Sequence, residues 1–288
     1  GAPLPSYNIM GLGDNGANVP LSMEFGNTPW FTGSGVLAGI NAAATQAAKD
    51  NTRFIGVCSR SRDDSGANQM DMSGMAAAAG LIGESMPNMG TRDSDTGNRN
   101  QFAYVKPPVP LIVNRFADIE GAVQATGVLA RLSEPEKQKL FKLVQDLTGA
   151  QARSLANVGG GKTLSTLVQC ATGKNYELIA SGGGGIDPRD NAGVSAVWNT
   201  GNANELAQAG MVYNALNGNG GSVSMSIGGY DYHNNTRTTG DTRDNNVGQL
   251  IGKVLETAKV MGKKVFVYVT TDGSCVSPAS AALDAPWR

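Results

Sequence analysis

"NVGQLIGKVLETAKVMG" followed directly by "KKVFVYVTTDGS", residues 246–274, reads as a helix running into a strand. Residues 246–262 carry apolar side chains at helical spacing, and Gly262 suits the C-cap. Residues 263–274 hold a dense run of valines and aromatics, the composition of a strand, and end at an Asp-Gly turn. The same alternation recurs near the N-terminus. A short strand at 6–13 is followed by a helix at 34–50, which Ser34 can cap. A second strand-length apolar run, 53–59, precedes an Ala/Gly-rich helix at 70–83. The order strand, helix, strand, helix recurs at both ends of the chain, which points to an α/β fold. It is a doubly wound, mainly parallel sheet with helices on both faces and long Gly/Asn-rich loops.

Between these ends the chain is helical. Residues 118–132 and 133–156 both read as helices. The second is the clearest in the chain: Ser133 is placed as N-cap, and Glu136 stands three residues on, as in a capping box. Leu140, Leu143, Val144 and Leu147 form its apolar stripe. Residues 204–217 form another helix, ending at an Asn-Gly run, and 222–230 alternate as a strand. Residues 84–103 are a long polar loop, and 181–202 are again polar and glycine-rich. The prolines in 108–115 limit that segment to an edge strand or an extended link. With no internal repeat or linker, the organisation expected is one α/β domain over 1–288, with a helical insertion at about 116–160.

Composition narrows the function. Of the 288 residues, 16% are charged, against about 25% in an average soluble domain. Glycine, at 39 residues, is about twice as frequent as usual. A surface solubilised by amides and hydroxyls leans toward an exported, extracytoplasmic protein, and Gly1 in place of an initiator methionine is consistent with a removed leader. The net charge of −1 and the lack of any cationic cluster argue against nucleic-acid binding. No apolar run approaches the roughly 20 residues of a membrane span. Cys58, Cys170 and Cys275 lie far apart and match no metal-ligand spacing; they fit three buried thiols, or one disulfide and a free thiol.

In a doubly wound sheet, sites lie beyond the carboxyl ends of the strands. Asp14 follows the first strand in "GLGDNGAN". It can serve a hard cation or an Asp-Asn-Gly turn. In "GGYDYHNN" (228–235), Asp231 and the only histidine of the chain, His233, are two apart and share one side of an extended segment. That donor pair suits Zn, Mn or Fe better than Ca. The alternative is a hydrogen-bonded loop histidine, with the glycine pair serving as a bend. Asp272 in "TTDGS" is a further ligand, a partner for His233, or part of a turn. Ser65 lies just before a helix, where backbone N–H groups can stabilise an anion. It suits a nucleophile toward a phosphate or sulfate ester, with Arg60 and Arg62 as an anion clamp; the alternative is an ordinary polar loop with a helix-capping serine. "ANVGGGKT" (156–163) misses the P-loop pattern by its first glycine and follows a helix instead of a strand.

Taken together, these motifs resemble an exported bacterial family catalogued as domain of unknown function 1501, within the alkaline phosphatase and sulfatase superfamily. "GGYDYHNN", the helix, the valine-rich strand and the acidic turn are similar to that family's signature. "GLGDNGANVPL" and "DDSGANQMDMSG" are similar to its N-terminal motifs. The resemblance implies an alkaline-phosphatase-like, metal-dependent esterase architecture, with Asp14, Asp231, His233 and Asp272 as ligands of a divalent metal and Ser65 in the nucleophile position. Several family residues are replaced: Gly66 stands where a histidine follows the serine, and the later Asp-His-Gly motif is missing. One histidine cannot complete a binuclear centre of the superfamily type. The expectation is therefore a non-catalytic relative, a surface, matrix or filament subunit that associates with itself or with other surface proteins. The alternative is a metal-dependent phosphoric or sulfuric ester hydrolase.

Overall fold

A computed structural model describes residues 21–23, 25, 30–54, 89–90, 111–123, 129–155, 157, 159–180, 185–230 and 237–269. These residues are mostly helical, with a small three-stranded parallel sheet, in keeping with the α/β class. They fall into two compact units. One is drawn from Gly1–Met75 and Ile227–Arg288, the other from Ala76–Asn98 and Tyr104–Ser226.

In the first unit, strands β1 (Leu21–Ser22) and β2 (Trp30–Phe31) pair antiparallel. Helices α1 (Gly35–Ala43) and α2 (Gln46–Asp50) follow. Ser34 caps α1 as its sequence suggests, its Oγ accepting from the Leu37 N–H at 3.3 Å. The single helix expected at 34–50 is broken at Ala44 and Thr45, which are extended. The long helix α8 (Arg237–Val260) packs along α1. Neighbours advance together along the two helices: Gly35 meets Asp241, Gly39 meets Asn245, and Ile40 meets Gly252, so α1 and α8 run parallel. Each carries a small-xxx-small pair, Gly35/Gly39 and Gly248/Gly252, and the backbones touch through them. A Cβ on Gly39 would lie 2.1 Å from the Asn245 carbonyl oxygen, and one on Gly248 2.1 Å from that of Val36. Leu37, Ile40, Ile251 and Leu255 close over Phe25 beside this seam. The Phe25 and Phe54 rings meet edge to face at 4.6 Å, a favoured aromatic geometry. Gly262 (φ 63°) ends α8 as expected, with the Lys263 N–H returning to the Ala258 carbonyl at 2.8 Å. Of the strand expected at 263–274, residues 263–269 are described, and they carry no ladder among the described residues.

In the second unit, β3 (Met89–Gly90), β4 (Leu111–Ile112) and β5 (Val223–Ser224) form a parallel sheet in the order β4-β3-β5. The central strand lies inside the stretch expected to be a polar loop, 84–103. Two buried residues set no period that a sequence reading can detect. β4 takes the edge position its prolines require. Helix α3 (Phe116–Val123) starts three residues after β4, and the Asp118 carboxylate reaches back to the Asn114 N–H at 2.8 Å. Helices α4 (Glu134–Leu155) and α5 (Gly161–Ala180) form a pair. In the capping box of α4, the Ser133 N–H and hydroxyl both donate to Glu136, at 2.8 and 2.6 Å. The P-loop-like "ANVGGGKT" joins these two helices, which removes the strand a phosphate loop needs. The polar stretch 181–202 contains a 3-10 turn at Pro188–Asp190 and helix α6 (Ala192–Val197). Helix α7 (Ala203–Leu216) follows, with Gly210 pressed against Phe116: a Cβ there would lie 2.6 Å from the ring. Met89, Val113, Phe116, Ile186 and Met211 form this unit's core.

Candidate functional site

Asp14, Arg60, Arg62, Ser65, Asp231, His233 and Asp272 all lie outside the described residues. The approach to the Asp231/His233 segment is described. Gly229 adopts φ 92°, where other residues are strained, and the Arg243 guanidinium occupies the space a Cβ would need, 2.7 Å away. Next to it the Tyr230 hydroxyl donates to the Arg243 carbonyl oxygen at 2.9 Å. Burial, then the neighbouring Asp244 carboxylate, push the phenol above its ordinary pKa, so it is a neutral donor at physiological pH. The start of "GGYDYHNN" is thus fixed to the second turn of α8, and the glycine pair makes a bend that admits an arginine.

A second polar cluster was not legible in the sequence. Glu256 of α8 is buried, and its Oε2 accepts from the Thr45 N–H (2.8 Å) and hydroxyl (2.7 Å), while Lys259 donates to Oε1 at 2.9 Å. Burial alone would raise the carboxyl, but the hydrogen bonds from Lys259 and Thr45 outweigh it and hold the pKa below its usual value. A carboxylate so fully engaged is held charged and is unsuited to shuttle protons. Its work is structural: it holds the break between α1 and α2 against α8. Glu256 and Lys259 are visible as an i, i+3 pair, but Thr45 is 211 residues away, and no local pattern reports such a contact.

Amides perform the same task in the second unit. Asn214 is buried and donates to the Ile186 and Gly210 carbonyls at 2.8 and 2.7 Å, while its own Oδ1 accepts from Asn219 at 3.0 Å. Asn191 and Asn202 cap α6 and α7 through their side-chain oxygens. Nearby, Arg189 donates to both oxygens of Asp187, holding that carboxyl below its usual range, and its guanidinium lies 5.5 Å from the Phe116 ring centroid. Three asparagines, Asn191, Asn202 and Asn214, thereby hold backbone groups through their side-chain amides.

The remaining feature is a surface. α4 faces α5 with Gln145, whose amide nitrogen lies 3.6 Å from where a Gly173 Cβ would sit, and buries Ala152 one heptad on. Leu140, Leu143, Val144 and Leu147 lie roughly a third of a turn away from that side. They are exposed, Leu143 by 64% and Leu147 by 58%. The stripe legible in the sequence is real, but it is not the side on which this hairpin closes.

Among the described residues, no group of three or more His, Cys, Asp or Glu could hold a metal ion, and no helix is long and apolar enough to cross a membrane. Comparison with protein-family models, with curated proteins and with solved structures finds no match to this chain.

Proposed function

We propose that this chain is an exported, non-catalytic relative of metal-dependent ester hydrolases that serves as a structural subunit of a surface, matrix or filament assembly. The observation that carries this reading is the uncovered leucine stripe of α4 in a chain with only 16% charged residues. Contiguous exposed apolar side chains mark interaction surfaces more often than chance, and low charge leaves little to repel a second protein. The single histidine is the counterpart on the chemical side. Asp14, Asp231, His233 and Asp272 supply three carboxylates and one imidazole, a donor set that fits one Zn, Mn or Fe ion and not a pair. Without a second ion, Ser65 and the Arg60/Arg62 clamp lack the paired activation that superfamily ester hydrolysis uses.

The fold proposed with this function is the alkaline-phosphatase-like, doubly wound sheet. Two features support it: the parallel order β4-β3-β5, and the parallel course of α1 and α8, each preceding an apolar stretch rich in β-formers, 53–59 and 263–269. Export is supported by the amide- and hydroxyl-rich composition. The hydrolase alternative is favoured by the same-side spacing of Asp231 and His233. Metal analysis of the purified chain, aryl phosphate and aryl sulfate assays, and electron microscopy separate the two. The structural reading expects ordered assemblies and no turnover. Metal-dependent turnover that His233→Ala abolishes would replace it with the hydrolase.

A further inference from the structure

We infer that the leucine face of α4 is a homotypic docking surface, on which a second copy of this chain lays its own α4 antiparallel. This rests on the reading of the chain as an assembling subunit and names the face that it uses.

The spacing of the stripe points to a second copy. Leu140, Leu143, Val144 and Leu147 are separated by three, one and three residues, a pattern that reads the same in both directions. A two-fold axis between residues 143 and 144 sets Leu140 against the other copy's Leu147 and Leu143 against its Val144. Such self-complementarity is what an isologous contact requires. The flanking charges agree. Lys139 and Asp146 are seven residues apart, both exposed, on the same edge of the stripe and on the side away from Ala152. Antiparallel pairing brings Lys139 of each copy near Asp146 of the other, about two residues (roughly 3 Å along the axis) from perfect opposition, an offset a lysine side chain spans. Within the chain Lys142 donates to Asp146 Oδ1 at 2.9 Å, and a carboxylate has a second oxygen with which to accept from another lysine. Two α4/α5 hairpins joined this way make a four-helix arrangement.

A lipid surface fits less well. Amphipathic helices that lie on anionic membranes carry a polar face rich in lysine and arginine. On α4, Glu134, Glu136 and Asp146 nearly balance Lys137, Lys139, Lys142 and Arg153.

Sedimentation velocity of the full chain, across the micromolar range up to about 1 mM, tests the inference. The wild type is expected to show a concentration-dependent dimer. The double variant Leu143→Glu/Leu147→Glu weakens it at least about a hundredfold with little change in thermal unfolding, because both side chains are already mostly exposed in the monomer. Lys139→Glu and Asp146→Lys each weaken it about tenfold, and combining them restores the dimer to within about threefold of wild type. Association that survives the leucine substitutions overturns the inference and leaves the subunit reading intact. So does a combined charge variant that stays dissociated. A wild type that is monomeric throughout overturns it too. Flotation of that monomer with phosphatidylglycerol vesicles, lost in the leucine variant, would reassign the face to a membrane. Ester turnover beside a dimer that obeys the charge exchange upholds the docking face and removes only the subunit reading.

Discussion

Two helix pairs in this chain solve the same packing problem in opposite ways. α1 and α8 meet backbone to backbone through facing glycines, with leucines and isoleucines closing over the seam. α4 sets Gln145 against Gly173 of α5 and buries Ala152, while it turns its leucines outward. The first pair has no room for one more carbon. The second has both room and unspent apolar surface. Glycine in a helix costs stability through its unfolded-state entropy, so it is kept where close approach repays it. The contrast therefore separates a seam that specifies the fold from a face left free for something else.

Exchanging glycine for alanine in each pair should break or sharpen this contrast. Gly248→Ala should cost about 3 kcal/mol in urea unfolding, because the new methyl meets the Val36 carbonyl oxygen and the helices must part. A cost below about 1 kcal/mol would mean the seam is looser than described. Glu256→Gln should cost about 1–2 kcal/mol, by weakening the hold on Thr45 and losing the Lys259 ion pair. Its pH dependence has a definite sign. The folded carboxyl titrates below its ordinary value of 4.5, so its contribution is complete above that pH and disappears as the pH falls through the folded value. The wild type should therefore lose stability on acidification in this window, and Glu256→Gln should lose less. Gly149→Ala in α4 is expected to act in the opposite direction, raising stability by about 0.5–1 kcal/mol, since the added Cβ meets only the flexible Arg153 side chain at 3.7 Å.

What the sequence disclosed follows the range of each interaction. Caps are local, so Ser34, the Ser133/Glu136 box and the Gly262 terminus were all legible. The start of α8 was not: its first turns, "RTTGDTRDNN", are uniformly polar and lack the apolar period that marks 246–262. The break at Thr45 is held by a carboxylate 211 residues away, and β3 is made by two residues pairing with partners on either side. Periodicity exposed the stripe of α4 but not which side meets α5, because that choice depends on what the neighbouring helix offers. For the candidate site, the sequence supplied residue types and spacing, while the described structure begins at its threshold, where Tyr230 and Gly229 meet Arg243.

The parallel seam also has a consequence in time. α1 emerges from the ribosome long before α8, with Thr45 preceding its partner Glu256 by 211 residues. At 5–20 residues per second this is a wait of roughly 10–40 s. During it, the glycine ridge of α1 is without α8, the helix it meets among the described residues. A nascent chain stalled before residue 237 would present α1 unprotected to chaperones and proteases, and synthesis of α8 is the step that ends that exposure.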